Sequence, residues 1–312
     1  MSANMKQSLR LKRLFRKLWL RASYCYCPPS RLSLEHVSLR LPSLGKVDLV
    51  LPRNEDVGRL IYYLREYESE YADYILRVLR PGDICFDVGA NLGYYTILMA
   101  KSVPQGKVYA FEPDPFSYAL LQLNVQLNGL KNVIVNQSAL GDRPGMSTFV
   151  QCTDSAFNSF RDTARRAVSG IIEVSVDTLD NFVYANNIPR IDFLKLDVEG
   201  AEGLVIAGAK KLFQDPILRP RLLLIELFEE NHRTFGDSAA GIIEFLGRNQ
   251  YAPLSTSGEK LTAPIPSDLI NVFFAPDLPS GVKSLRDSKS ETVPELPVAR
   301  MPIKEATTEQ SC

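Results

Sequence analysis

The sequence predicts an α/β fold, a doubly wound and mostly parallel sheet with helices on both faces and a short N-terminal hairpin. Three observations predict it. Short apolar runs alternate with helical stretches from Asp83 onward, the order that winds strands and helices into a covered parallel sheet. Proline and glycine punctuate the transitions, as at Arg80-Pro81-Gly82 and Asp114-Pro115. Glycine-rich and acidic blocks recur directly after the strands, where ligands bind in such sheets.

Residues 1–34 form a basic arm with eight Lys/Arg and no acid. Leu11, Leu14, Phe15, Leu18 and Trp19 share one side of a helical wheel, and Arg10, Lys12, Arg13, Arg16, Lys17 and Arg21 the other. Over residues 9–21 this basic amphipathic pattern suits peripheral contact with an anionic membrane surface. No stretch approaches the roughly 20 apolar residues of a membrane span. Residues 35–57 read as a hairpin extension, with strands at 36–41 and 47–51 around Gly45.

The main domain is read over residues 58–275. A tyrosine-dense helix at 58–79 ends at Arg80-Pro81-Gly82. A buried strand at 84–88, a helix at 94–101 and a strand at 107–111 follow. Asp114 caps the next helix, with Pro115 at its first position, and that helix runs to about residue 128. A third strand is expected at 133–137, then extended segments at 146–151 and 171–176 around a polar loop. Helices at 178–185, 202–213 and 239–249 alternate with strands at 191–196, 222–227 and 270–275. Residues 276–312 are rich in Pro, Ser, Thr and Glu, lack aromatics, and are expected to be disordered.

The charge total, 36 basic against 36 acidic residues, argues against a nucleic-acid partner. It is a cancellation, because residues 35–275 carry 23 basic and 30 acidic residues. Five cysteines (Cys25, Cys27, Cys85, Cys152 and Cys312) are too scattered for a disulfide framework and read as reduced thiols of a cytoplasmic protein.

After the first strand stands Asp87-Val88-Gly89-Ala90-Asn91-Leu92-Gly93. A dinucleotide site favours G-x-G-x-x-G. This loop has only G-x-x-x-G, and Asp87 in front of it would repel phosphates and attract a cation. S-adenosylmethionine is such a ligand, with an ammonium, a sulfonium and no phosphate. Glu112 ends the second strand, where an acid can accept both hydroxyls of a ribose. The third strand runs into Ser138-Ala139-Leu140-Gly141-Asp142, beside which an adenine would lie. The fourth ends in Lys195-Leu196-Asp197-Val198-Glu199-Gly200-Ala201-Glu202, and the fifth in Glu226, followed by Glu229, Glu230 and His232.

These blocks, together with Tyr94-Tyr95-Thr96, Asn128 and Val176-Asp177-Thr178-Leu179-Asp180, resemble the FkbM-type methyltransferases of the class I S-adenosylmethionine-dependent enzymes. The resemblance spans roughly residues 55–230. It implies a Rossmann-like class I methyltransferase fold, with a seven-stranded, mostly parallel sheet whose last strand is antiparallel. It also implies methyl transfer to a hydroxyl of a sugar, lipid or polyketide, so the acceptor is a small molecule, glycan or lipid. The expected cofactor residues are Asp87 for the ammonium, Glu112 for the ribose, the loop residues Gly89, Asn91 and Gly93, and Ser138, Ala139, Asp142 and Asp197. Asp197, Glu199 and His232 are the candidate bases. Asp197, Glu199 and Glu202 could alternatively hold Mg²⁺, but their spacing is not diagnostic and no metal ligand is assigned. Two other readings compete: a nicotinamide-dependent oxidoreductase, and a catalytically silent cofactor-fold module that docks on membranes.

Overall fold

The first two alternating runs pair as an antiparallel hairpin, β1 (Leu34–Leu41) with β2 (Gly45–Pro52). The computed structural model describes residues 33–261 and 270–277. The basic arm over 9–21 and the tail beyond 277 lie outside the described residues.

The expected single helix at 58–79 is two helices, α1 (Asp56–Leu64) and α2 (Ser69–Val78). Arg65 and Glu68 between them both take left-handed backbone conformations. Side-chain contacts account for the break. Glu68 accepts a hydrogen bond from the Tyr95 hydroxyl at 2.7 Å and one from Asn271 at 3.2 Å, while Tyr67 packs edge-on against Tyr94. A continuous helix would carry both residues away from these partners.

From there the alternation follows the sequence closely: β3 (Ile84–Val88), α3 (Tyr94–Ser102), β4 (Lys107–Phe111), α4 (Pro115–Leu127) and β5 (Val133–Asn136). Asp114 accepts from the Ser117 N–H, the expected cap. The extended segments that follow belong to a separate sheet. In it β6 (Ala139–Leu140) pairs with β8 (Val168–Asp177), which pairs with β7 (Gly145–Cys152). Next come α5 (Leu179–Ala185) and β9 (Phe193–Leu196).

The helix expected at 202–213 is split into α6 (Glu202–Ala207) and α7 (Lys210–Gln214). Gly208 sits against the Gly141 carbonyl, where an added Cβ would stand 2.0 Å from the oxygen. Its own carbonyl accepts from Asp180, whose side chain caps the Lys211 and Leu212 N–H groups. The chain ends with β10 (Leu222–Glu226), α8 (Glu229–Phe235), α9 (Ala239–Arg248), β11 (Tyr251–Leu254) and β12 (Asn271–Pro276). Of these, α8 and β11 were not anticipated, being a single short turn pair and a four-residue strand without clear periodicity.

The main sheet has seven strands in the order β11-β12-β10-β9-β3-β4-β5. The strand β12 is antiparallel to both of its neighbours, and the β10-β9-β3-β4-β5 pairings are parallel. The central strands are buried almost throughout, and successive side chains enter opposite faces of the sheet. Cys85, Phe193, Leu222, Leu224 and Phe273 face a core shared with α2, α3 and the hairpin. Phe86, Phe111, Leu194, Leu196, Leu223 and Phe274 face a second core under α5, α6 and α9. Chain order reverses between β3 and β9, which opens the ligand crevice at their carboxyl ends.

Asn124 of α4 and Asn128 at its C-terminal cap tie the hairpin to this frame. Fully buried Asn124 accepts from Val50 N–H at 2.6 Å and donates to the carbonyls of Val50 and Leu92 at 2.9 and 2.8 Å. Asn128 makes the same reciprocal pair with Asp48. Asn124→Ala is therefore expected to cost roughly 2–4 kcal/mol, since it orphans three backbone groups. Urea unfolding measures this, and a loss below about 1 kcal/mol would contradict the tie.

Candidate active site

The loop after β3 is shaped by contact with the neighbouring strand. Asp197 N–H donates to the Val88 carbonyl at 3.1 Å, which brings β9's end against Gly89. Gly89 has φ +79°, and a Cβ there would lie 1.8 Å from the Asp197 carbonyl oxygen, so only glycine fits. The Gly89 and Ala90 N–H groups donate to the Phe111 carbonyl at 3.1 and 3.0 Å, and Asn91 follows in the left-handed region. Glu112 locks this turn from β4. Its Oε2 accepts the Asn91 N–H at 2.8 Å and its Oε1 the Asp114 N–H at 3.0 Å. Burial pushes the Glu112 carboxyl up to about 8, against the pull of those two bonds. Each oxygen keeps a second lone pair, the acceptor set that a ribose diol needs.

Behind the loop lies a buried lysine. Lys195 Nζ stands 2.9 Å from Asp197 Oδ2, 3.6 Å from Asp87 Oδ1 and 3.4 Å from the Gly89 carbonyl, 5.3 Å from the centre of the Tyr95 ring. Burial alone would depress the lysine, but Asp197 and Asp87 outweigh it and hold the ammonium charged. Asp87 is fully buried and accepts from the Thr96 hydroxyl at 2.5 Å. Burial pushes its carboxyl up, and Lys195 offsets the effect. The direct contact expected between Asp87 and a ligand ammonium is thus corrected, because that carboxylate is closed off by Thr96 and Lys195. The carboxylate open to solvent beside it is Asp197, 29% exposed.

The rim continues through two successive positive-φ residues, Glu199 at +53° and Gly200 at +100°. Glu199 Oε2 accepts from Arg165 Nη1 at 2.6 Å and from Asn231 Nδ2 at 2.7 Å. Burial pushes its carboxyl up to about 7, with Arg165 pulling it down and Asp197 pushing it further up. Carboxylate oxygens of Asp197, Glu199 and Glu226 lie within 4.8 Å of one another. Burial, then Glu199 and Asp197, push Glu226 well above the usual carboxylate range. These three, rather than the alternative trio Asp197, Glu199 and Glu202 to which no metal is assigned, offer hard oxygens close together, and Lys195 and Arg165 already pair with two of them.

Glu202 and His232 turn inward. Fully buried Glu202 accepts the Val198 N–H at 2.8 Å and so fastens the rim from behind. His232 is 1% exposed, with Nδ1 3.5 Å from Glu202 Oε2, and burial lowers its pKa. The expectation that His232 is a rim base is corrected, since packing of α8 encloses the ring. Near the third strand, half-buried Ser138 and exposed Asp142 bracket β6, whereas the Ala139 side chain packs in the small-sheet core with Phe149, Val174 and Val176.

Residues 87–253, more than half of the chain, match the methyltransferase FkbM domain family. The chain belongs to that family. The cofactor of this FkbM methyltransferase is S-adenosylmethionine, and the nicotinamide reading is set aside. The methyltransferase sdnD of Sordaria araneosa is 30% identical over 50% of this chain and 75% of its own. Methyltransferase 1 of Beauveria bassiana is 30% identical over 39% of this chain and 56% of its own. The 31-O-demethyl-FK506 methyltransferase FkbM of Streptomyces tacrolimicus is 31% identical over 42% and 61%. The chain thus spans between just over half and three quarters of these relatives' lengths. Among the described residues, no helix of the FkbM chain is long and apolar enough to cross a membrane.

Several site residues escaped the sequence reading. Lys195 was visible as a charge inside an apolar strand, a signal that could have been used. Arg165 and Asn231 carried none, because they come from segments far along the chain from the strand ends they meet, and nothing local in the Tyr94-Tyr95-Thr96 block showed that the Tyr95 ring would stand beside Lys195.

Two outcomes follow from these charges. Lys195→Met is expected to destabilise the protein by about 3–5 kcal/mol, because it leaves buried Asp87 unpaired, and Lys195→Met/Asp87→Asn should recover part of that loss in thermal unfolding. Glu112, Glu199 and Glu202 have folded pKa values of about 8, 7 and 8 against 4.5 for the free side chain. The folded state therefore binds protons that the unfolded state releases, and ligand-free stability should fall as pH rises from about 5 to about 8. Urea midpoints across that range check the sign, and Glu112→Gln should flatten the slope.

Proposed function

We propose that this chain transfers the methyl group of S-adenosylmethionine to a hydroxyl of a sugar, lipid or secondary metabolite. One observation carries the reading: a glycine loop on β3 meets carboxylates from the ends of β4, β9 and β10 around a single switch-point crevice. The relative from Streptomyces tacrolimicus, the 31-O-demethyl-FK506 methyltransferase FkbM, supports the choice of a hydroxyl.

The bound cofactor supplies an electrophilic methyl on a sulfonium. The chain's task is alignment and charge. Gly89, Asn91 and Gly93 hold the loop backbone low over the crevice floor, and Glu112 uses its remaining lone pairs for the ribose hydroxyls. Ser138 and Asp142 flank the adenine end. Asp197 faces the ammonium, and Lys195 pairs with its carboxylate and aims it, with Asp87 and Thr96 positioning Lys195 from below. Glu199 stands at the acceptor side with a pKa near 7, suited to take the hydroxyl proton as the new bond forms. In-line displacement rewards such fixed geometry more than it rewards strong acid or base chemistry. Glu68 holds Tyr95 and Asn271 in place through the hydrogen bonds it accepts from them.

Calorimetry is expected to show S-adenosylmethionine binding at least about tenfold weaker in Glu112→Ala, consistent with the loss of its hydrogen bonds to the ribose hydroxyls. Labelled methyl should move into one of the host's lipid, glycan or metabolite fractions. With that acceptor, Glu199→Gln should lower kcat by roughly 10²–10⁴ while cofactor affinity stays within a few-fold. Unchanged affinity in both Glu112→Ala and Asp197→Ala would sink the reading.

A further inference from the structure

The segment between β7 and β8 carries an arginine that the fold holds unusually firmly. The Arg165 guanidinium carbon lies 4.5 Å from the ring centre of Phe157 and 4.5 Å from that of Phe228, one ring from its own segment and one from the turn after β10. Flanked by two rings, a guanidinium keeps its faces covered and presents its edge. One donor of that edge is used, since Nη1 donates to Glu199 Oε2 at 2.6 Å. Among the described residues no hydrogen bond from Nε or Nη2 is formed, and the side chain is 28% exposed. The segment is anchored to the rim as well. The Ser159 hydroxyl donates to the Glu199 carbonyl at 2.9 Å, and Arg166 beside it pairs with Asp56 of α1. Ala164, just before the arginine, is held at φ +56°, a strained conformation for a residue with a Cβ.

We infer that Arg165 is a specificity-determining residue that selects an acceptor carrying an oxyanion, a carboxylate or a phosphate, next to the hydroxyl to be methylated. This rests on the methyltransferase reading and deepens it. The argument is one of unused donors. An arginine present only to neutralise Glu199 needs one contact, whereas this one is held between two rings, partly exposed, with further donors unused beside the reacting rim. Paired donors in a fixed plane match the two oxygens of a carboxylate or phosphate. The neighbouring carboxylates do not forbid it. Asp197 is paired with Lys195, and Glu199 gives Arg165 an exchangeable partner. An arriving oxyanion would take over part of that pairing and leave Glu199 free to accept the hydroxyl proton.

The test is calorimetry on the full chain with S-adenosylhomocysteine, followed by titration with inorganic phosphate in one arm and acetate in the other. The wild type is expected to bind one of the two, and which one distinguishes phosphate from carboxylate recognition. Arg165→Lys keeps a positive charge beside Glu199 and so protects folding, but loses the planar fork. It is expected to weaken anion binding at least about tenfold, the order of a charge-assisted hydrogen bond. Arg161→Gln, on the same segment, should bind as the wild type does. Binding of neither anion, or equal affinity in Arg165→Lys and wild type, would overturn the inference. If S-adenosylhomocysteine itself fails to bind, the parent reading falls. The same anion titrations on the ligand-free proteins then decide the Arg165 site by the same criteria.

Discussion

Everything at the crevice depends on one buried ammonium. Lys195, next to the end of β9 and opposite Asp87 of β3, is flanked by Asp87 and Asp197. A charge in that position is costly unless it is paired and hydrogen-bonded. The pairing therefore dictates where both strand ends lie. It fixes Asp87 beneath the glycine loop, draws the Gly89 carbonyl close, and leaves Asp197 as the carboxylate turned to solvent. The switch point opens a crevice in any doubly wound sheet. Here the lysine gives that crevice its sign and its shape.

Around it the protein keeps carboxyl groups in surroundings that raise their pKa values. Glu112 is held by two backbone N–H groups, Glu202 by one, and Glu199 by an arginine and an asparagine. Each bond stabilises the ionised form, and burial opposes it. The balance leaves these acids near neutrality, where a cationic ligand or a proton can change their state at small cost. Positive φ at Asn91, Glu199 and Gly200 belongs to the same arrangement, since strained backbone at a rim persists where neighbours over-determine it. Glu202 and His232 do that work from behind, although His232 by type and position had looked like a base.

How much was readable in advance depended on how local the cause was. The run from β3 through α4 was legible to within a residue or two, because apolar alternation, the Pro-Gly stop and the Asp114 cap all act within a few residues. Asp197, Glu199, Glu112 and the glycines were legible as candidates because ligands bind where parallel strands end. The break at 65–68 was not legible, because Glu68 is drawn out of helix by Tyr95 and Asn271, which lie 27 and 203 residues away. The break at Gly208 has the same kind of cause in the Gly141 carbonyl. The inward turn of His232 was hidden too, since α8 is too short to announce a buried face.

The sequence by itself determined the fold class, the succession of elements from β3 to β5, the acidic and glycine-rich strand ends as the site, and the family. Those properties follow from periodicity, turn chemistry and charge beside a strand end, all of which are local. Only the tertiary structure decided which carboxylates face the ligand and which serve the frame. It closed Asp87 behind Lys195, exchanged Glu202 for Glu226 on the rim, and brought Arg165 from a polar loop to Glu199. Those outcomes depend on burial and on partners distant in the chain, and no run of neighbouring residues encodes either.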